Sequence, residues 1–302
     1  MKILITGTNG QLGKALIHTK PIKINNKNIT LITPKRNELN LLNHKECKAL
    51  IEKINPSWII NSAAYTNVDK AEKEIEVAKS INTNSVDLFT KSLKETNGKL
   101  LQISTDYVFS GTKNTPYQTH DIRNPINVYG KTKADGEKII EESLFSSNQG
   151  RIIRTSWLIS PNGKNFVTSI IRLIKNLDEL RVVSDQIGSP TSTINLANAC
   201  WKLIEKTEGG QNIPNILHYS DSGTASWYDL AISIGEFAEL FGLTKKQTNI
   251  IPISTSDYPT EAKRPYYSVL ECLSTKKVLE LNHIHWRASL KDIIQQISKN
   301  KS

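Results

Sequence analysis

The first half of the chain alternates short, nearly unbroken apolar runs with longer stretches whose apolar residues recur three and four apart. Residues 2–6, 29–33, 58–61, 99–104 and 151–155 have the length and continuity of strands buried on both faces. Residues 11–19 have helical spacing. Asn43 stands where an N-cap would open a helix through about Ile54, with Cys47, Leu50, Ile51 and Ile54 on one face. A long helix is predicted over 72–96, closed by Asn97-Gly98.

Strands alternating with helices predict an α/β fold, a Rossmann-type doubly wound parallel sheet covered on both faces. After about residue 156 the pattern loosens. It predicts helices near 164–175, 194–206, 227–241 and 289–298, strands near 181–184 and 216–220, and a segment punctuated by Pro252, Pro259 and Pro265. The division expected is a dinucleotide-binding domain over 1–160 and a smaller C-terminal substrate-binding lobe, mainly 161–302. Elements near 192–220 are expected to return to the main sheet.

The first strand runs into Gly7-Thr8-Asn9-Gly10-Gln11-Leu12-Gly13. Between a strand and a helix, the first glycine permits the tight turn and the second lets backbone approach a pyrophosphate. The third lets the helix pack close to the strand, and the helix N-terminus faces the phosphates. The context of strand, turn and helix makes the motif informative.

Of the tyrosines, only Tyr129 is followed four residues on by a lysine, Lys133. Asn127 suits the N-cap of a helix that would place both on one face, reaching one cleft. A free phenol, with a pKa of about 10, is a poor acid–base group at neutral pH. A nearby ammonium is expected to favour the phenolate and bring tyrosine toward the working range. Gly130 is expected to leave room for a cofactor. The fourth strand ends in Ser104-Thr105-Asp106, where open α/β sheets bind ligands and a hydroxyl can meet a carbonyl oxygen.

Composition narrows the field further. No apolar run of membrane-spanning length occurs, and the N-terminal apolar run is too short for a signal-peptide core. Cys47, Cys200 and Cys272 are far apart and odd in number, which fits a reducing cytoplasm better than a disulfide framework or zinc site. The net charge is +10, yet the lysines are spread along the chain without a block of like charge. That distribution argues against a nucleic-acid or membrane partner and is compatible with attraction of an anionic nucleotide.

Together these segments resemble the dTDP-4-dehydrorhamnose reductase family of the extended short-chain dehydrogenase/reductase superfamily. The resemblance spans nearly the whole chain. It rests on GTNGQLG at 7–13, NSAAYTNVDKAE at 61–72, STDYVFSG at 104–111, NVYGKTKADGE at 127–137, RTSW at 154–157, DQIGSPT at 185–191 and Arg264-Pro265. It implies NAD(P)H-dependent reduction of the C4 keto group of a nucleotide-activated 6-deoxy-4-keto sugar. The substrate implied is dTDP-4-dehydrorhamnose, giving dTDP-L-rhamnose for cell-surface polysaccharide, and a homodimer is compatible with it. By the same resemblance Tyr129 is the proton donor, Lys133 its activator and Thr105 the group that orients the keto oxygen. Thr105, Asp106 and Trp157 would meet the substrate. Gly10, Gln11 and Leu12 would meet the cofactor pyrophosphate, and Ala64, Tyr65 and Thr66 its ribose and nicotinamide side. The adenine end would fall at Asn40 and Leu41.

The chain departs from the family pattern in three places. Asn40 stands where Asp is frequent, Gln118-Thr119 replaces a usual Glu after the substrate turn, and Ala15 occupies the first acidic position of magnesium-bridged dimers, so no metal is predicted. His283 and His285 read as structural. Thr105-Asp106-Tyr107 lacks the third-position acid of dehydratases. Another superfamily epimerase or reductase, and a non-catalytic regulatory subunit on the same fold, are the competing readings.

The cofactor choice rests on the second strand. An NAD-selective turn places an acid about 20 residues past the glycines to bond the ribose hydroxyls. Here that place is Thr33, followed by Pro34, Lys35 and Arg36, and the nearest downstream acid is Glu38. Arg36 suits a 2′-phosphate, so NADPH is expected to be preferred over NADH.

Overall fold

In the computed structural model, which describes residues 1–245 and 248–300, Ile3 and Ile5 of the first strand bury into one core and Leu4 into another. Successive side chains of a strand point to opposite faces, so both faces of this one are covered. The strand, β1 (Lys2–Thr6), belongs to a parallel six-stranded sheet with β2 (Thr30–Ile32), β3 (Trp58–Asn61), β4 (Lys99–Thr105), β5 (Gly150–Thr155) and β6 (Ile216–His218). The strands lie in the order β6-β5-β4-β3-β1-β2.

The helices follow in chain order. α1 (Gln11–His18) leaves the glycine turn, and α2 (His44–Ile54) is capped by the Asn43 side chain, which accepts from the Glu46 N–H. The single helix predicted over 72–96 is instead broken. α3 (Val68–Ala71) and α4 (Ile75–Lys79) are separate short helices. A π turn at Ser80–Asn84 leads into α5 (Ser85–Thr96), which ends at Asn97 in a left-handed conformation, φ 56°. The extra residue of the π turn brings Asn82 against the loop after β3. Its Oδ1 accepts from the Tyr65 N–H at 2.9 Å, and its amide donates to the Tyr65 carbonyl and to Thr132 Oγ1. Hydrophobic spacing does not register such an insertion, which often marks a functional site.

α6 (Val128–Leu144) crosses back beside β4 and β5. On one face of the sheet α1 and α8 (Thr193–Glu208) pack Leu16, Leu196, Cys200 and Leu203 against Ile3, Ile60 and Ile153. On the other, α2, α5 and α6 pack Ile51, Phe89 and Ile140 against Leu4, Ile59 and Ile152. A third core joins α7 (Phe166–Asn176), α9 (Trp227–Leu240) and α11 (Trp286–Lys299) through Ile170, Ile171, Leu230, Ile234, Leu290 and Ile294. It also carries a parallel strand pair, Glu179–Val183 with Asn249–Ile253. α10 (Leu273–Leu279), inside the stretch read from sequence as proline-punctuated connection, packs on α8. Cys47, Cys200 and Cys272 are free and buried. Among the described residues no helix is long and apolar enough to cross a membrane.

Candidate active site

A cavity of about 1110 Å³ opens along the carboxyl ends of β1, β3, β4 and β5. The glycine turn contributes Gly7, Gly10, Gln11 and Leu12, and the connection after β2 contributes Arg36, Asn40 and Leu41. Ala64, Tyr65 and Thr66 enter after β3, and Thr105 and Asp106 enter at the end of β4. Tyr129 and Lys133 come from α6 and Trp157 from the end of β5. Every residue singled out from sequence for the site lines this cavity except Gly13. A Cβ there would stand 2.3 Å from the Gly7 carbonyl oxygen and 2.7 Å from Thr8 Cα, so Gly13 lets α1 dock on the turn and does not itself face the cavity.

Gly7 adopts φ +68°, and a Cβ on it would meet Ala63 Cα at 2.8 Å, which restricts the position to glycine. Gly10 caps α1 without any side-chain hydrogen bond, so the first-turn N–H groups are left for an anion. Gln11 Oε1 accepts from Asn165 Nδ2 at 2.9 Å, tying the turn to the start of α7. Arg36 is exposed at the cavity, whereas the Lys35 N–H is bonded to Glu38 Oε2 at 2.6 Å. Asn40 Oδ1 accepts from the Leu42 N–H, and Leu41 is buried.

Asn127 caps α6, its Oδ1 accepting from the Gly130 N–H at 2.8 Å. The expectation that Gly130 leaves room for a cofactor is corrected. A Cβ there would lie 2.1 Å from the Tyr107 carbonyl oxygen, so the space is filled by the protein's own backbone. Lys133 is buried and its Nζ donates to the Ile103 carbonyl at 2.6 Å. Burial pulls Lys133 down to about 8, opposed by the Glu137 carboxylate one turn along. Burial pushes the Tyr129 phenol up to about 12; the Thr105 hydroxyl opposes this and the Asp106 charge adds to it. The expected lowering of tyrosine by the neighbouring ammonium is therefore corrected: desolvation moves the phenol the other way, and it holds its proton at neutral pH.

Thr105 Oγ1 donates to Asp106 Oδ1 at 2.9 Å and accepts from the Tyr107 N–H. Burial raises Asp106 to about 6, with Ser268 and Thr105 opposing. Asp106 Oδ2 and Thr155 Oγ1 are buried without a hydrogen-bond partner, and both residues line the cavity. Buried polar atoms are normally satisfied, so this wall suits a polar ligand. Trp157 sits at φ +44°, and its indole stacks on Trp227 with ring centroids 3.6 Å apart and planes 6° from parallel.

Sequence reasoning missed Asn82, Asn165 and Trp227. Asn82 lay hidden inside an apparently regular helix, and the other two become neighbours of the site only through chain reversal. Among the described residues no group of three or more His, Cys, Asp or Glu gathers as a metal site, and His285 accepts from the Arg287 N–H as the N-cap of α11.

The sequence model of the RmlD substrate binding domain matches residues 1–299. The dTDP-4-dehydrorhamnose reductase of Aggregatibacter actinomycetemcomitans is 37% identical over 293 residues, covering 97% of this chain and 98% of the relative. The chain belongs to the dTDP-4-dehydrorhamnose reductase family. Among solved members, the Clostridium acetobutylicum protein superposes with a TM-score of 0.87 at 35% identity, over 98% of this chain and 99% of that one. The Bacillus anthracis member, solved in complex with NADP, gives a TM-score of 0.86 at 33% identity over the same shares.

Proposed function

We propose that the chain reduces the C4 keto group of a nucleotide-activated 6-deoxy-4-keto sugar, dTDP-4-dehydrorhamnose to dTDP-L-rhamnose, using NADPH. The observation that carries this reading is the convergence of Tyr129, Lys133 and Thr105 on the cavity into which the uncapped glycine turn opens. The residues suit the cofactor. The free N–H groups of α1 fit a pyrophosphate, Arg36 fits a 2′-phosphate, and Asn40 and Leu41 border the adenine end. Ala64, Tyr65 and Thr66 fit its ribose and nicotinamide side. NADPH, when bound, supplies the hydride that reduces C4.

The chain's own part is proton supply and charge stabilisation. Tyr129, protonated at neutral pH, gives its phenolic proton to the carbonyl oxygen as that oxygen gains charge. The phenolate left behind is stabilised by the Lys133 ammonium and recovers its proton from solvent. Thr105, Asp106 and Trp157 hold the sugar nucleotide, with Thr105 orienting the keto group. In this reading residues 1–160 form the dinucleotide-binding domain, whose strand ends also carry Thr105, Asp106 and Trp157 to the substrate, and 161–302 are mainly the substrate-binding lobe. The reaction takes place in the cytoplasm, in a monomer or homodimer, and requires neither nucleic acid nor membrane. Tyr107, in the third position of the Thr-Asp-x turn, has no carboxyl group, which disfavours a dehydratase with retained cofactor.

A product assay tests this. NADPH consumption with dTDP-4-keto-6-deoxy sugar and the partner epimerase is expected, with the 4-hydroxy sugar nucleotide formed. Tyr129→Phe is expected to lower kcat by roughly 10²–10⁴-fold with cofactor affinity kept. An absence of NADPH oxidation would leave a non-catalytic role, and an isomerised product formed with the partner epimerase left out would point to an epimerase.

A further inference from the structure

The segment 262–268 lies behind the wall of the cavity and is fastened at several points to other parts of the chain. The Ala262 N–H and Arg264 both bond Asp69, on the α3 turn that follows cavity residues Thr66, Asn67 and Val68. The Lys263 carbonyl accepts from Asn127 Nδ2 at 2.8 Å, the residue that caps the Tyr129 helix. Pro265 presses on Gly111, where a Cβ would stand 2.3 Å from the proline Cβ. The Tyr266 carbonyl and the Ser268 N–H pair with the backbone of Ile187. Ser268 acts on Asp106, and Arg264 acts electrostatically on Tyr107, whose ring packs edge-on against Tyr129 at 5.8 Å.

The strongest of these fastenings is charged. Arg264 grips Asp69 with two parallel bonds, at 3.1 Å to Oδ1 and 2.7 Å to Oδ2. A guanidinium fork on a carboxylate fixes orientation as well as distance, which a lysine point charge would not. The α3 turn is tied to the other side too, because Glu72 Oε1 accepts from the Val128 N–H at the start of α6. One short turn thus holds both the segment behind the wall and the helix that bears Tyr129 and Lys133.

We propose that the Asp69–Arg264 pair is a latch that holds residues 262–268 against the back of Asp106, Tyr107 and Asn127, making both members positioning residues for the reduction. This rests on the reductase reading above. The latch lies behind the substrate wall and not at the glycine turn, so releasing it should disturb sugar reduction while leaving cofactor binding in place.

The test compares Asp69→Asn, Arg264→Gln and the double variant in the full chain. Without substrate, amide hydrogen exchange across 262–268 should quicken in each single variant while the melting temperature changes little. With substrate, kcat/KM should fall about tenfold or more, with NADPH affinity kept within about twofold. The double variant should be no worse than the poorer single one, because one interaction is lost in all three. Unchanged exchange across 262–268 would overturn the latch whether or not the wild type turns over the sugar. Faster exchange with wild-type kcat/KM, additive losses, or NADPH affinity falling in step with activity would overturn the positioning role. A wild type that leaves NADPH unoxidised counts against the reductase reading, and exchange then decides the latch alone.

Discussion

Lys133 Nζ donates to the Ile103 carbonyl, 2.6 Å away at the end of β4, and so spends part of its charge on the sheet that carries Thr105. This bond fixes the ammonium in the cavity wall while burial brings Lys133 down to about 8. The free enzyme should therefore lose a needed positive charge as the solution becomes mildly alkaline. We expect kcat/KM, which reports ionisations of the free enzyme, to fall above about pH 8 with a single-proton slope. Initial rates from pH 6 to 10 check this, and a flat profile would remove the Lys133 charge from the reaction.

Asp106 offers a stability measurement. Its folded-state value, about 6, lies above the ordinary aspartate value of 3.8, because burial disfavours the charged form, so folding favours the protonated form. The cost of holding it ionised is absent below the unfolded value, grows between about pH 4 and 6, and is fully present above about 6. That cost is on the order of 3 kcal/mol. Asp106→Asn keeps an acceptor for Thr105 and should raise the melting temperature at pH 8 but not at pH 4. It should also weaken sugar binding, because Asp106 lines the cavity. Equal effects at both pH values would mean that the carboxyl is not desolvated.

Arg36 is exposed at the cavity, and no carboxylate stands at the position that would repel a 2′-phosphate. A charge-assisted contact of roughly 1.5–3 kcal/mol corresponds to a preference for NADPH over NADH of about tenfold or more. Arg36→Ala should erase most of that ratio and leave NADH kinetics unchanged. Comparison of kcat/KM for the two cofactors in wild type and variant decides it; equal use by the wild type would defeat the assignment.

Gly188 lies against the Trp157 indole, where a Cβ would stand 2.6 Å from Cε2 and 2.7 Å from Nε1. Gly188→Ala should push the indole off Trp227 at a cost of about 1–3 kcal/mol. The loss should appear as a weaker near-ultraviolet circular dichroism signal from the stacked pair and a raised KM for the sugar nucleotide, with NADPH affinity preserved. An unchanged dichroism spectrum would show that the stack absorbs the methyl group without moving.

Local chemistry was enough to reveal much of this protein. Continuous apolar runs announced β1, β3, β4 and β5, because strands buried on both faces have little freedom to carry polar residues. Asn43 and Asn127 announced helix starts, because an unpaired N–H group demands an acceptor nearby in sequence. The glycine turn and the Tyr129–Lys133 spacing announced two halves of one site, since both are set within a few residues. Tertiary structure alone decided how those halves behave. Whether Lys133 lowers Tyr129 depends on how much water each has lost, and burial is a property of the folded whole. The space beside Gly130 is taken by Tyr107, which reaches it from another part of the chain. The break in the 72–96 helix serves a contact between Asn82 and Tyr65, 17 residues apart. Asp69 meets Arg264 across 195 residues, and no local pattern encodes a pairing that only chain reversal creates.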